Sequence, residues 1–330
     1  MMASQHQVGL FELHRHHDTS HTPESISRVS RLLGISPFDA MSVEEIRHEV
    51  QAPPGSTWDQ WYQYLKRVRK AYVSPTAVAE LTRDVLKDAA RQELGLLELR
   101  VSLLSTVAAI RENSPSEASK NFWAVARETL EMLLAVKQQE MKKSHLPVDL
   151  VLSISCQNKY LPYVDRYVDL MTEYAREIIA VDLTNEADNK PSTCKAALDR
   201  IRPHISFLTI HCMETTGPER GWDALTLLPQ RLGHGIHAVD DPQLVREIAK
   251  RGIVLEVCPL SNILTGVATP ANHPFRCLDE AGVALTINHD GLNDDSTLDD
   301  DYTFVQTTFG YSEQDMRRFA ENGRTYAFRT

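Results

Sequence analysis

The sequence predicts a (β/α)8 TIM barrel, an α/β fold in which parallel strands alternate with helices. The 330 residues suit such a barrel, which typically takes about 250 residues before insertions are added. Runs with helical spacing, such as 122–143 and 242–252, alternate with short apolar runs typical of strands. Eight apolar runs predict the strands, at 9–16, 96–104, 149–156, 177–184, 207–214, 230–236, 253–262 and 283–290. Eight repeats of this alternation favour a closed barrel over an open doubly wound sheet.

One connection is much longer than the others. Residues 17–95 separate the first two predicted strands and contain several helical patterns, so we predict a helical insertion there. An insertion after a strand lies at the C-terminal face of a barrel, where active sites are found. Its aromatic cluster is expected either to pack the insertion onto the barrel or to form a lid, and comprises Trp58, Trp61, Tyr62 and Tyr64. No repeat or second boundary interrupts the chain, so we predict one domain over 1–330.

Composition and charge exclude several classes of protein. A formal net charge of −10 argues against nucleic-acid binding and favours a small-molecule substrate. The cysteines are five in number and form no CxxC pair, so we expect no disulfide framework and a reducing, cytoplasmic location. The N-terminus lacks a basic segment followed by an apolar run, and no apolar run is long enough to span a membrane. The oligomeric state is left open by these features.

Polar residues stand at the ends of several predicted strands. His14 and His16 end the first strand and share a face, because alternate strand residues point the same way. His211 ends the fifth strand and Asp290 ends the eighth. Three histidines and one aspartate at the mouth of a barrel form a donor set suited to zinc. The alternative is a surface histidine cluster, since residues 14–21 hold four histidines. For proton transfer the strand ends also offer Glu214 and His234.

Six segments resemble, in order and spacing, the motif series of the adenosine deaminase family: LHRHHD, VDLTNEA, HCME, RLGHG, EVCPLSNILTG and INHDG. The resemblance runs from about residue 9 to about residue 305. It implies one divalent ion, Zn²⁺ by preference, held by His14, His16, His211 and Asp290. It further implies that Glu214 protonates the substrate's ring nitrogen and that His234 orients the attacking water. The fourth strand ends without a lysine that could bridge two metals, which favours a mononuclear site.

The departures from the family concern the positions that would contact the substrate. Gly291 replaces a second aspartate after Asp290, and it follows His289, where a small residue is usual. Asn185 replaces a glycine after the fourth strand, and Met213 replaces a glycine beside the catalytic acid. Asp18 is kept where the family binds a ribose hydroxyl. We therefore expect substrate contacts at Asp18, Asn185, Met213, His289 and Gly291, in a pocket changed from that of adenosine deaminases.

These features together predict a zinc-dependent hydrolytic deaminase. A metal-activated water would attack an amino-bearing heterocycle and release ammonia, with adenosine itself not the preferred substrate. Two alternatives stay open at this stage: an amidohydrolase that opens a cyclic amide or amidine, and a non-catalytic relative that binds a ligand. The intact set of polar groups argues against the non-catalytic relative. We expect Cys212 and Cys258 to be packing residues rather than nucleophiles.

Overall fold

The computed structural model describes residues 9–53, 55–185 and 187–329. Residues 1–8, on which the expectation of no signal peptide rests, lie outside the described residues. The prediction of a single domain over 1–330 also stays a prediction. Eight parallel strands follow one another around the sheet in chain order. They are β1 Phe11–His16, β2 Leu96–Val101, β3 Val148–Ser155, β4 Ile178–Thr184, β5 Phe207–Cys212, β6 Arg231–His234, β7 Val254–Val257 and β8 Leu285–Ile287. The predicted (β/α)8 barrel is confirmed.

The helices surround this sheet. The insertion between β1 and β2 contains α1 Pro23–Leu33, α2 Val43–Val50, α3 Trp58–Val68 and α4 Pro75–Arg91, which confirms its helical character. The later helices are α5 Leu103–Asn113, α6 Pro115–Ala118, α7 Phe122–Ser144, α8 Val164–Glu173, α9 Lys195–Ile201, α10 Pro218–Leu225, α11 Pro242–Arg251, α12 Pro259–Leu264, α13 Phe275–Glu280, α14 Leu298–Phe309 and α15 Glu313–Tyr326. Among the described residues, no helix combines the length and apolarity needed to cross a membrane.

Helix α11 shows how local sequence sets an element's limits. The Asp241 side chain accepts hydrogen bonds from the backbone N–H groups of Gln243 and Leu244, and Pro242 takes the first helical position. Gly252 ends the helix in the left-handed conformation, at φ 66°. These signals lie within a few residues of the helix ends, so the sequence predicted both boundaries closely.

Several strands are shorter than predicted. Strand β7 stops at Val257, and the predicted continuation to residue 262 is instead the start of α12. Pro259 explains the difference, because proline cannot donate a hydrogen bond to a strand ladder but suits the first turn of a helix. Strand β2 likewise ends at Val101 and α5 begins at Leu103. The strands thus end at the barrel mouth, and the following residues turn over it.

Side chains join the first strand to the last. The Glu12 carboxylate accepts hydrogen bonds from the backbone N–H groups of His14 and His289, both at 2.9 Å. The Asn288 side-chain oxygen accepts another from the backbone of Leu13, at 3.1 Å. Burial raises the pKa of the fully buried Glu12. These bonds fix the ends of β1 and β8, which carry His14, His16 and Asp290.

An ionic network fills the centre of the barrel. Its five members are almost completely buried and lie on the strands β2, β4, β6 and β7: Glu98, Arg100, Asp182, Arg231 and Glu256. The Arg231 Nε lies 2.6 Å from a Glu256 oxygen, and its guanidinium also pairs with Glu98. Arg100 pairs with Glu256, and its Nη1 lies 3.5 Å from Asp182 Oδ1. Each buried charge therefore has an opposite charge beside it, which its burial requires.

Removing one charge from this network should destabilise the fold strongly. We expect Arg231→Met to lower the free energy of unfolding by about 3–5 kcal/mol, because Glu98 and Glu256 would lose a buried partner. Urea unfolding followed by circular dichroism measures the change. The matched control is Arg200→Met, which breaks ion pairs with the exposed Asp165 and Asp169 and should cost no more than about 1 kcal/mol. Equal costs for the two variants would contradict a structural role for the central network.

Candidate active site

A cavity of about 420 Å³ opens at the C-terminal ends of the strands. Small-molecule sites in proteins usually measure about 300–1,000 Å³, so this volume is sufficient for a substrate. Its lining includes residues at or just after the ends of seven strands, Ser102 after β2 among them, together with residues of the insertion. From the strand ends come His16, Ser155, Thr184, Asn185, His211, Glu214, His234 and Asp290. The position is the one that the barrel fold predicts for an active site.

Three imidazoles converge at one point of this site. The Nε2 atom of His211 lies 3.0 Å from that of His14 and 2.8 Å from that of His16. The nearest Asp290 oxygen lies 3.6 Å from the His16 Nε2. The structure therefore brings together the four side chains that the sequence analysis assigned to a metal, although they come from β1, β5 and the residues after β8.

The outer ring nitrogens show why this cluster suits a cation. The His14 Nδ1 lies 2.8 Å from the Glu256 carboxylate, and the His211 Nδ1 lies 2.9 Å from the Asp182 carboxylate. A carboxylate only accepts, so each of these nitrogens carries the ring proton. The Nε2 lone pairs of His14 and His211 then face each other at 3.0 Å with no hydrogen between them. A bound cation relieves this repulsion, and carboxylate-supported histidines are typical of zinc sites.

Burial keeps the imidazoles of His14 and His16 in the neutral form, which is the form that binds metals. It lowers the pKa of His14 well below its usual value, and the Arg100 guanidinium acts in the same direction. Burial, with the adjacent His211, lowers the pKa of His16 to about 3. Burial raises the pKa of Asp290 to about 6, against the effect of a 2.7 Å hydrogen bond from Ser261. The two imidazoles are therefore neutral at pH 7, with lone pairs available for a metal.

The two groups expected to transfer protons stand beside this cluster. The His234 Nε2 lies 3.7 Å from a Glu214 oxygen and 3.9 Å from Asp290 Oδ2. Its other ring nitrogen lies 3.2 Å from the side-chain amide of Asn262, which holds the ring in place. Burial lowers the pKa of His234 well below its usual value. A carboxyl and a neutral imidazole thus share one wall of the cavity with the candidate metal ligands.

Two of the residues expected to contact the substrate line the cavity. Asp18 does so while paired with the guanidinium of Arg69, whose Nε lies 3.1 Å from Asp18 Oδ2. Asn185 follows β4 with a positive φ of 64°, and its side-chain oxygen accepts a 2.8 Å hydrogen bond from Ser155. Asn185 therefore has a fixed orientation at the wall of the cavity.

The other three residues lie outside the lining. Met213 is fully buried and packs against Gly221, where a Cβ would come within 2.5 Å of the Met213 sulfur. His289 is buried, with its Nδ1 at 2.7 Å from Asp301. Gly291 faces the β1 loop, and a Cβ on it would lie 2.6 Å from Ser20 Oγ. The contacts of these three residues thus lie behind the cavity wall.

Backbone conformation explains this difference from expectation. Side chains alternate between two faces only while the chain stays extended. Met213 and Asp290 each follow the end of a strand and have positive φ values of 59° and 69°, and Gly291 follows at 91°. Such left-handed residues change the direction of the chain, so faces assigned by counting along the strand no longer hold.

Three of the four insertion aromatics line the cavity. Trp58 and Tyr62 stack on each other, with ring centroids 5.2 Å apart and ring planes 12° apart, and Trp61 lines the cavity beside them. Tyr64 instead lies under the guanidinium of Arg67. The cluster therefore covers the cavity as well as packing the insertion.

Sequence reasoning missed the residues that support the site. Asp182 and Glu256 are acids inside otherwise apolar strands, IIAVDLT and VLEV, and that position was an available signal. Arg69 and Asn262 carried no comparable signal, because their partners Asp18 and His234 lie far away in the sequence. Tertiary structure alone identifies these two.

Loss of the Asp182 carboxylate should weaken metal binding. We expect Asp182→Asn to lower the affinity for Zn²⁺ by about 10–100-fold, because His211 would lose the acceptor that orients its ring. Competition with a chromogenic chelator measures the affinity, and elemental analysis should give about one ion per wild-type chain. The control is Asp165→Asn, at an exposed carboxylate of α8. Unchanged zinc affinity in a folded Asp182→Asn protein would contradict this role.

Comparisons with known proteins agree with this geometry. The family model described as "Adenosine deaminase" matches residues 10–330. An adenosine deaminase from Enterococcus faecalis is 27% identical over 333 residues, covering 98% of this chain and 92% of its own. An aminodeoxyfutalosine deaminase from Streptomyces coelicolor is 40% identical over 121 residues, covering 36% of this chain and 31% of its own.

Solved structures share the fold. An N6-mAMP deaminase from Arabidopsis superposes with a TM-score of 0.79 at 20% identity, covering 98% of this chain and 94% of that one. An amidohydrolase from Burkholderia ambifaria, solved with bound Zn, gives a TM-score of 0.80 at 20% identity, covering 98% and 86%. With the family match over nearly its whole length, the chain belongs to the adenosine deaminase family and is a hydrolase acting on C–N bonds.

Proposed function

We propose that this protein is a zinc-dependent deaminase that removes an amino group from a heterocycle by hydrolysis and releases ammonia. One observation supports the proposal most directly. The Nε2 atoms of three histidines and the Asp290 carboxylate lie close together beside the Glu214–His234 pair, at a cavity of substrate size. Related proteins support the reaction class, since those matched by sequence include deaminases of adenosine, adenine and aminodeoxyfutalosine.

The metal would be held by His14, His16, His211 and Asp290. When bound, a divalent ion of this kind acts as a Lewis acid and lowers the pKa of water to about 7. The end of β4 offers Thr184 and Asn185 rather than a lysine, so we propose one ion rather than two.

Glu214 and His234 would move and orient protons. The Glu214 carboxyl lines the cavity and would deliver a proton to the ring nitrogen next to the attacked carbon, which makes that carbon more electrophilic. The His234 ring, held by Asn262, points its Nε2 toward Glu214 and Asp290. In that position it would orient the attacking water toward the substrate. Proton transfer and water activation would thus occur side by side on one wall of the cavity.

Substitution of the Glu214 carboxylic acid should lower catalytic turnover without disturbing the fold. We expect Glu214→Gln to keep the fold and the bound metal but to lower kcat by about 10²–10⁴-fold, since the proton transfer strengthens in the transition state. Coupled ammonia detection measures turnover, and circular dichroism with elemental analysis checks the protein. Glu313→Gln, on the exposed face of α15, serves as the control and should keep full activity. Nearly unchanged turnover by Glu214→Gln would rule out the acid role.

Adenosine should be a poor substrate. Gly291 brings no carboxylate into the cavity, and the Asn185 side chain lies where the family has a glycine. A lost hydrogen bond to a polar substrate atom costs about 1–3 kcal/mol, and misplacing the reacting carbon by about 1 Å costs around 10²-fold in rate. The assay compares adenosine, adenine and aminodeoxyfutalosine, from which the product is ammonia, with N6-methyl-AMP, from which it is methylamine. Adenosine turnover at a kcat/KM of about 10⁵ M⁻¹s⁻¹ or more would refute this specificity.

A further inference from the structure

A second chamber adjoins the catalytic cavity. Its volume is about 820 Å³, and it lies between α3, α5 and the segment that follows β3. The two spaces share four lining residues, which form the boundary between them: Tyr62, Arg69, Ser105 and Tyr160. The two spaces therefore lie side by side and meet at these four residues.

The two chambers differ in charge. The catalytic cavity is lined by five carboxylates, Asp18, Asp59, Asp188, Glu214 and Asp290, and Arg69 is its one lysine or arginine among the described residues. In the outer chamber the balance is reversed. Its cations are Lys66, Arg67, Arg69, Lys70 and Lys159, whereas Glu112 is the one carboxylate among its described lining residues. In a chain with a net charge of −10, this concentration of cations is a local feature.

Neighbouring carboxylates already neutralise part of this positive charge. Arg69 is paired with Asp18, and Glu49 lies 3.8 Å from Arg67 and 3.4 Å from Lys70. Within the described part of the chain, no carboxylate lies at ion-pair distance from Lys66 or Lys159. These two lysines are the cations left to bind an incoming anion.

Both lysines stand at the boundary between the chambers. The Lys66 Nζ lies 5.0 Å from the ring centroid of Tyr62, and the Lys159 Nζ lies 4.8 Å from that of Tyr160. Tyr62 and Tyr160 are two of the four boundary residues. The aromatic rings hold the ammonium groups beside the opening through cation–π contacts.

We infer that the substrate carries an anionic group, a phosphate or a carboxylate, remote from its amino-bearing ring, and that Lys66 and Lys159 bind this group in the outer chamber. This inference rests on the proposed function, because it takes the amino-bearing ring to occupy the catalytic cavity. The acidic cavity would then exclude the anionic end, and the basic chamber would attract it. Such a charge pattern sets the direction in which an elongated substrate enters.

Binding of product analogues tests the inference without turnover. Isothermal titration calorimetry would compare inosine with inosine 5′-monophosphate and with inosine-5′-carboxylic acid. We expect at least one anionic compound to bind about tenfold or more tightly than inosine, with a difference that narrows as ionic strength rises. The anionic compound that binds more tightly identifies the preferred anion as phosphate or carboxylate. Equal gains in affinity over inosine indicate that the site recognises negative charge alone.

Paired variants connect the effect to the two lysines. We expect the double variant Lys66→Gln/Lys159→Gln to lose most of the preference for the anionic compound while binding inosine as the wild type does. The matched control is Lys142→Gln/Lys250→Gln, at two exposed lysines on α7 and α11, and it should keep the preference. Because all four lysines are exposed, the fold should survive, which circular dichroism checks.

The outcomes separate this inference from the proposed function. Equal binding of inosine and both anionic compounds, or an unchanged preference in the Lys66→Gln/Lys159→Gln variant, would overturn the anion site. Ammonia release is measured in parallel from adenosine, AMP and adenosine-5′-carboxylic acid, and also from adenine and aminodeoxyfutalosine. Lysine-dependent anion binding with no ammonia release from the whole panel would contradict the deaminase proposal and leave the anion site standing. Ammonia release without any preference for the anionic compounds would support the deaminase proposal and overturn the anion site.

Discussion

The contact between Glu256 and its cationic neighbours is the constraint on which the rest of the structure depends. This fully buried carboxylate on β7 pairs with Arg231 and Arg100 and also accepts a hydrogen bond from His14 Nδ1. A buried charge must be compensated on all sides, so the positions of β1, β2, β6 and β7 are tied to one another through it. The same atoms that stabilise the barrel therefore also determine which nitrogen of His14 faces His211.

The second arm of this network reaches the opposite side of the site. Arg100 lies 3.5 Å from Asp182, and Asp182 accepts a hydrogen bond from His211. Burial alone would raise the pKa of Asp182, but His211 and Arg100 outweigh it and hold the pKa below its usual value. The carboxylate thus stays ionised and keeps the His211 ring proton on the outer nitrogen. A metal-binding arrangement at the mouth is consequently prepared by charges placed one layer deeper in the barrel.

The insertion determines what the barrel mouth can accept. Its helix α3 contributes Trp58, Trp61 and Tyr62 to the catalytic cavity, and Arg69 follows directly after it. Arg69 is ion-paired with Asp18, so the two side chains together form one polar part of the cavity wall. The cavity lining therefore comes from two parts of the chain: the strand ends supply the polar groups proposed to react, and the insertion supplies the aromatic rings beside them. Such a division lets one catalytic arrangement serve different substrates.

Local sequence patterns were enough to predict the barrel, the insertion and the polar residues that collect at the mouth. Alternating apolar runs and helical spacing are local properties, and His14, His16, His211 and Asp290 stand at strand ends that a parallel barrel must bring together. Only the tertiary structure decided the substrate wall. Met213 and Gly291 have positive φ and lie outside the cavity lining, and His289 turns to Asp301. Arg69 and Asn262 contact the site through partners distant in sequence. A side chain's direction beyond a strand end depends on backbone turns and packing that no short sequence pattern encodes.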